Sequence, residues 1–175
     1  MFDAVVLAGG RARRLGGQDK PGLQVGGRSM LDAVLAATAA AGRTVVVGPE
    51  RPTQREVVWT REAPVGGGPV PALAAGLQHV EADTVVLLAA DLPFVTREFV
   101  AWLAAQAPAV LVADGREQWL CSAWPTAVLR APATSDRLGA VLAALPHHPV
   151  TWGGQGTPWL DCDTDDDLDR ARAMA

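Results

Sequence analysis

The chain contains no isoleucine, no asparagine and no tyrosine, and of its 15 Lys and Arg residues only one, Lys20, is a lysine. Those residues share AT-rich codons, so a GC-rich coding bias accounts for the deficit. A lysine written against that bias stands out, because an ammonium is a compact point charge where guanidinium is a planar fork. The plain alternative for Lys20 is a solvated surface charge. Only two cysteines occur, Cys121 and Cys162, far apart and in no C-x-x-C pair. That argues against a zinc site or a disulfide framework. No apolar run approaches the roughly 20 residues that span a bilayer. The chain opens directly on Phe2-Asp3-Ala4-Val5-Val6 with no basic n-region, so the expectation is a cytoplasmic protein with no membrane partner. The formal net charge of −4 gives no field that would draw nucleic acid.

What is present is a globular composition, 49% hydrophobic and 19% charged over 175 residues. That suits one domain, expected over residues 1–175. Short apolar runs alternate with helical stretches. Strands are expected at 3–8, 44–47, 56–59, 84–90 and 109–113. Residues 118–122 read as a hairpin partner across the Asp114-Gly115 turn, and 150–152 as a further strand. Helices are expected from the Ser29 cap to Gly42, from Pro69 to about Val80, from the Thr96 cap to about Ala107, over 135–145 and over 164–174. Segment 9–27 reads as an irregular loop. Continuous apolar strands imply coverage on both faces, hence an α/β sandwich with a mainly parallel sheet. In such sheets ligands bind beyond the carboxyl ends of the strands. Converging there are the loop 9–20, the loop 66–69, Asp91 and the stretch 161–163.

The first loop reads Leu7-Ala8-Gly9-Gly10-Arg11-Ala12-Arg13-Arg14-Leu15-Gly16-Gly17-Gln18-Asp19-Lys20. Its glycines let backbone amides turn inward on a ligand, and Arg11, Arg13, Arg14 and Lys20 add cations. By composition this is a polyphosphate cradle; the alternative is a basic surface loop. No G-x-G-x-x-G is present, and residues 22–29 miss a P-loop by carrying Arg28 where Lys is needed. Asp91 ends the most apolar strand, where a carboxylate leaves the sheet and wants a cation; otherwise it caps the next turn. Ser122 and Cys121 have no evident base, so nucleophilic catalysis is not supported. His147 and His148 read as solvated loop residues. Trp119 and Trp124 serve packing, or stack on a flat ligand.

The segment from Val5 to Lys20 resembles the signature L-A-G-G-x-x-x-R-[ML]-G-x-x-K of nucleotidyltransferases. Within these it is most similar to the molybdenum cofactor guanylyltransferases, and Asp19 before the lysine leans toward guanine. Gly66 to Leu73 resembles the family's G-P-L-A-G segment beside the base. Asp91-Leu92-Pro93-Phe94 resembles its magnesium-binding D-x-P-[FY]. Asp161-Cys162-Asp163-Thr164 stands where the family has N-x-N-T. The resemblance implies a Rossmann-like three-layer fold of the nucleotide-diphospho-sugar transferase type. It also implies transfer of GMP from GTP to molybdopterin, with magnesium as cofactor. Arg14, Lys20 and Asp91 would be catalytic. Leu7, Ala8, Gly9, Gly10, Arg14, Gly16, Lys20, Gly48, Glu62, Gly68, Pro69 and Asp91 would bind the nucleotide. Asp91 would hold the metal, assisted by Asp161 or Asp163. Implied partners beyond the substrates are cofactor-delivery proteins and apo-molybdoenzymes. A CTP-using or sugar-phosphate transferase and a non-catalytic nucleotide binder are the alternatives.

Overall fold

The computed structural model describes residues 1–9 and 19–175. Among these, β1 (Asp3–Leu7), β4 (Thr44–Val47), β5 (Val58–Thr60) and β6 (Thr84–Ala89) pair in parallel, β1 lying between β4 and β6. The strands β7 (Ala109–Ala113), β8 (Arg116–Pro125) and β9 (His148–Val150) complete a seven-stranded sheet of order β5-β4-β1-β6-β8-β7-β9. The strand β8 is the one departure from parallel pairing. It runs antiparallel to both β6 and β7. The hairpin across Asp114-Gly115 is present, and its second strand is ten residues long rather than five. Because β6 and β7 both oppose β8, they point the same way, and β9 runs parallel to β7. The carboxyl ends of β1, β4, β6, β7 and β9 therefore share one edge of the sheet.

Period-two alternation divides each strand between two faces. Val6, Val46, Val86 and Leu88 pack with Leu31, Val34, Phe99 and Leu103 on one side. Those partners come from α1 (Met30–Ala37) and α3 (Arg97–Ala105). Val5, Val45, Val47, Val85 and Leu87 pack with Leu73, Leu77, Leu138 and Leu142 on the other. These come from α2 (Pro69–Leu77) and α5 (Leu138–Ala143). The helix α2 lies so close to the sheet that a Cβ at Gly76 would stand 2.7 Å from Val5 Cγ1. The short helix α4 (Thr126–Leu129) follows β8, and α6 (Asp165–Met174) closes the described fold. The expected three-layer α/β/α architecture is the one observed.

Most helices begin where the sequence marks them, but α5 begins at Leu138 rather than 135; α1, α2, α3 and α5 end sooner than expected, while α6 ends at Met174 as expected. Ser29, Thr96 and Thr164 each accept a backbone N–H of the first turn at their helix, satisfying a donor that would otherwise be orphaned. The helix α1 stops at Ala37 instead of Gly42. There Thr38 Oγ1 and Arg55 Nη1 both donate to Leu35 O, which removes the need for further helical N–H donors. Likewise α2 stops at Leu77, because Arg130 Nη2 donates to Leu77 O and Val80 O. The segment expected as loop contains a small hairpin, β2 (Gln24–Val25) and β3 (Arg28–Ser29). Gly26 and Gly27 form its turn, with φ of 60° and 82°, the backbone that a two-residue type I′ hairpin demands. The strand expected at 150–152 begins at His148 instead, and Trp152 joins Phe99 and Trp102 in an aromatic cluster.

Candidate active site

The carboxyl edge brings three distant segments together. At its centre β1 ends on Leu7. Ala8 N donates to Val47 O, and Ala90 N donates to Leu7 O, so the chain stays in register one residue past the strands on either side. Leu7 and Ala8 are buried in the two cores, which leaves only their backbone to meet a ligand. Gly9 emerges at the surface. Gly48 abuts the same corner: a Cβ on it would lie 2.8 Å from the Ala8 carbonyl. Its glycine identity is thus required by the close approach of the β1 and β4 ends. Gly10, Arg14 and Gly16, with Arg11 and Arg13, lie outside the described residues.

Lys20 opens a one-turn 3-10 helix, Lys20–Gly22. Its Nζ is paired with Asp91 Oδ2 and donates to Asp163 Oδ1 at 2.7 Å. Lys20 and Asp91 are 17% and 16% exposed, Asp163 56%. Asp91 sits two residues beyond β6, as its position in the sequence suggested. Burial opposes the charge on Lys20, but Asp91 and Asp163 outweigh it and raise the lysine above its ordinary value. The ammonium is fixed as a cation.

The two carboxylates at 161 and 163 have different surroundings. Asp163 is the counter-ion of Lys20. The Asp161 carboxyl is raised, chiefly by desolvation and then by the neighbouring Asp163 and Asp91 charges. The rest of that stretch is structural: Thr164 and Asp167 form a capping box at the start of α6.

The aspartates do not form a ready-made metal cage: among the described residues no group of three or more His, Cys, Asp or Glu is arranged to hold a metal. One observation nevertheless suits magnesium. Asp91 Oδ1 is buried with no hydrogen-bond partner among the described residues. Magnesium keeps waters and is usually held by one or two carboxylates plus substrate phosphates. A single orphaned carboxylate oxygen fits that mode.

The second loop meets the same edge from the α2 side. Gly68 precedes Pro69 with φ of 99°, a backbone only glycine adopts readily. Glu62 is buried, and its Oε1 accepts from Gly66 N at 2.8 Å. This carboxylate therefore acts on the loop itself, setting the approach to Gly68 and Pro69.

Beneath the site lies a satellite core of Val25, Met30, Cys162, Leu168 and Ala171, flanked by Leu23 and Phe94. Its members are too scattered along the chain to announce it. Leu23, Phe94 and Cys162 each stand within three residues of Lys20, Asp91 or the Asp161 and Asp163 positions, so this apolar cluster underlies those charged groups. Cys162 belongs to it, and burial pushes its thiol up to about 11. Cys121 is also pushed up, first by burial and then by Asp161 and Asp91. Neither is a thiolate nucleophile. Ser122 Oγ donates its proton to Trp119 O and accepts from Trp124 Nε1, so the hydroxyl is engaged in structure.

The tryptophans and histidine of this region are packing groups. Trp124 is fully buried, and Trp119 lies against Gly139. His147 is not a solvated loop residue. Its ring centroid stands 5.6 and 5.7 Å from those of Trp119 and Trp124. Nδ1 donates to Leu145 O at 2.8 Å, and Nε2 lies 3.1 Å from Glu117 Oε1.

A lysine–aspartate cluster at the switch edge of a mostly parallel sheet, beside a glycine-rich turn, defines a nucleotide-handling α/β protein. The chain belongs to the family described as the MobA-like NTP transferase domain, whose model matches residues 4–164. Among curated relatives it is 32% identical to a molybdenum cofactor guanylyltransferase of Acidiphilium cryptum, over 97% of this chain and 93% of that one. It is 31% identical to one of Rhodopseudomonas palustris, over 98% and 93%. Its fold is similar to a molybdopterin-guanine dinucleotide biosynthesis protein A from Archaeoglobus fulgidus (TM-score 0.78, 20% identity, 98% and 97% covered). It also resembles the 2-C-methyl-D-erythritol 4-phosphate cytidylyltransferase of Thermus thermophilus (TM-score 0.71, 24% identity, 99% and 98% covered). Among the described residues no helix is long and apolar enough to cross a membrane.

Proposed function

We propose that this single-domain chain transfers GMP from GTP to the phosphate of molybdopterin, releasing pyrophosphate and forming molybdopterin guanine dinucleotide. The observation that carries the reading is Lys20, held as a cation between Asp91 and Asp163 at the strand edge, in a chain of this family. The acceptor's phosphate oxygen attacks the α-phosphorus in line, and pyrophosphate leaves from the opposite side. No covalent enzyme intermediate is needed, only positioning and charge stabilisation. The amides of Gly9 and Gly10, with Arg14 and Lys20, bind the triphosphate and steady the negative charge that gathers on the leaving group. Asp91, through its free oxygen, is the residue that would hold magnesium, assisted by Asp161. When bound, the ion supplies charge neutralisation across the phosphates. Gly48, Gly68 and Pro69 shape the base and sugar side, with Glu62 bracing that loop. The setting is the cytoplasm, and delivery proteins and apo-molybdoenzymes receive the product.

The test is pyrophosphate release with magnesium and molybdopterin, with GTP, CTP and ATP in parallel. Release with GTP alone is expected. Release with CTP keeps the mechanism and overturns the base. No release with any nucleotide, despite binding, leaves a nucleotide-binding protein and removes the enzyme.

A further inference from the structure

Arg51 lies just past β4, outside the residues proposed to bind the nucleotide. Its side chain is only 12% exposed, and Nη2 donates to Asp19 Oδ1 at 2.6 Å. Asp19 is the residue immediately before Lys20 and stands at the head of the 3-10 turn, with its carbonyl accepting from Gly22 N. The other Asp19 oxygen folds back over that turn. A Cβ at Gly22 would lie 2.8 Å from Asp19 Oδ2, so the carboxylate fits there because residue 22 has no side chain. Asp19 is thus fixed from two sides, by a guanidinium rooted beside the sheet and by a bare stretch of its own turn. The side chain of the next residue then reaches Asp91 and Asp163.

This arrangement has a mechanical meaning. The ammonium sits at the end of four methylenes with many rotamers. Where it stands depends on where its backbone is held, and the Arg51–Asp19 pair is the described side-chain link between that backbone and the β4 end. An ordinary surface ion pair contributes little. This one differs because its arginine is mostly shielded from solvent, which restricts the geometries open to the pair.

We infer that Arg51 and Asp19 are positioning residues for the transfer reaction: their ion pair sets the turn that aims Lys20 at the leaving phosphates. The inference rests on the role given to Lys20 under the proposed function. Its test uses the full-length protein and reads kcat, KM for the nucleotide and melting temperature for Asp19→Asn, Arg51→Met, Arg51→Lys and the double variant. Asp19 is 57% exposed, so its variant should fold normally, and Arg51→Met keeps the aliphatic stem. Misplacing a reacting group by about 1 Å costs up to roughly a hundredfold. Asp19→Asn and Arg51→Met should each lower kcat about tenfold, with KM nearly unchanged. The double variant should be no worse than either single one, and Arg51→Lys should recover most of the rate.

Unchanged kcat in Asp19→Asn, or losses that multiply in the double variant, overturn the inference. A fall in melting temperature with kcat intact also overturns it, since that is a purely structural pair. The parent protein and Lys20→Ala, run alongside, separate the failures. If the parent protein shows no GTP-dependent pyrophosphate release, the proposed function has failed; if Lys20→Ala is fully active, the role given to Lys20 has failed. If it is inactive while the pair variants are normal, only the positioning role has failed.

Discussion

Two aspartates mark opposite ends of the same sheet. Asp3 opens β1 and is 2% exposed. Its carboxylate accepts from three backbone donors: Arg43 N, Glu81 N and Ala82 N. Both oxygens are used, and all the partners are chain segments that the aspartate ties to the strand. Asp91 follows β6 at the other edge. One of its oxygens is shared with a lysine and the other has no partner among the described residues. Both are carboxylates beside a hydrophobic core, where an unpaired charge is costly. The first is balanced by the fold alone. The second is left incomplete among the described residues. Among the described residues, satisfaction of hydrogen bonds separates these two aspartates more cleanly than burial does.

The largest effect should come from the functional end. Lys20→Ala should lower turnover about a thousandfold while the far-ultraviolet spectrum and melting temperature stay close to those of the parent; removing one donor to developing charge costs about 10²–10³ in rate. A near-normal rate would sink the role of Lys20. Asp91→Asn should lower kcat by about a hundredfold and leave stability almost unchanged, because the lost charge was only half satisfied. Asp3→Ala should do the reverse. It strands three amide donors, costs about 3 kcal/mol in chemical unfolding, and leaves kcat of the folded fraction unaltered. If Asp3→Ala and Asp91→Asn shift stability equally, the comparison fails.

Smaller effects sharpen it. Thr164→Ala breaks the capping box of α6 and should cost about 1 kcal/mol. Part of that should appear as lost activity, because α6 belongs to the satellite core beneath the site. The smallest effect is one of pH. The Leu145 carbonyl and then Glu117 hold the His147 imidazolium above its ordinary value of 6.5, against a burial cost. A histidine raised in the folded state contributes stability that is complete below that ordinary value and is lost as pH rises through the folded one. Melting temperature should therefore decline from pH 6 upward, and His147→Gln should flatten the slope without touching turnover.

Much of this was legible in the residues. Continuous apolar runs located β1, β4 and β6, and Ser29, Thr96, Thr164 and Pro69 located helix starts, because caps and strand burial are local chemistry. Asp91 was legible for the same reason: a charge directly after an apolar run has to leave the sheet. What was hidden is what distant segments decide. The strand β8 lacks clean alternation because its ladder shifts register opposite Val110 and Leu111, and Ser122 bonds back to Trp119 inside the shift. The pieces of the β2–β3 hairpin are too short to show a period, and Gly26-Gly27 was the only available signal. His147 sits in a tryptophan pocket that sequence neighbours do not announce. That Lys20 reaches Asp163 was not legible either, and Glu62 and Arg51 found their partners through loop geometry.

The Lys20–Asp163 contact spans 143 positions, and that span has a consequence in time. A ribosome adds about 5–20 residues per second, so Lys20 is made roughly ten seconds before its second counter-ion. During that interval Cys162, Leu168 and Ala171 are also missing from beneath the site. The growing chain can lay down β1, β4 and β6 and place Lys20 near Asp91, but it cannot yet hold the lysine from both sides. The two-sided hold on Lys20 thus arrives late in synthesis, with the segment that supplies Asp163 and α6.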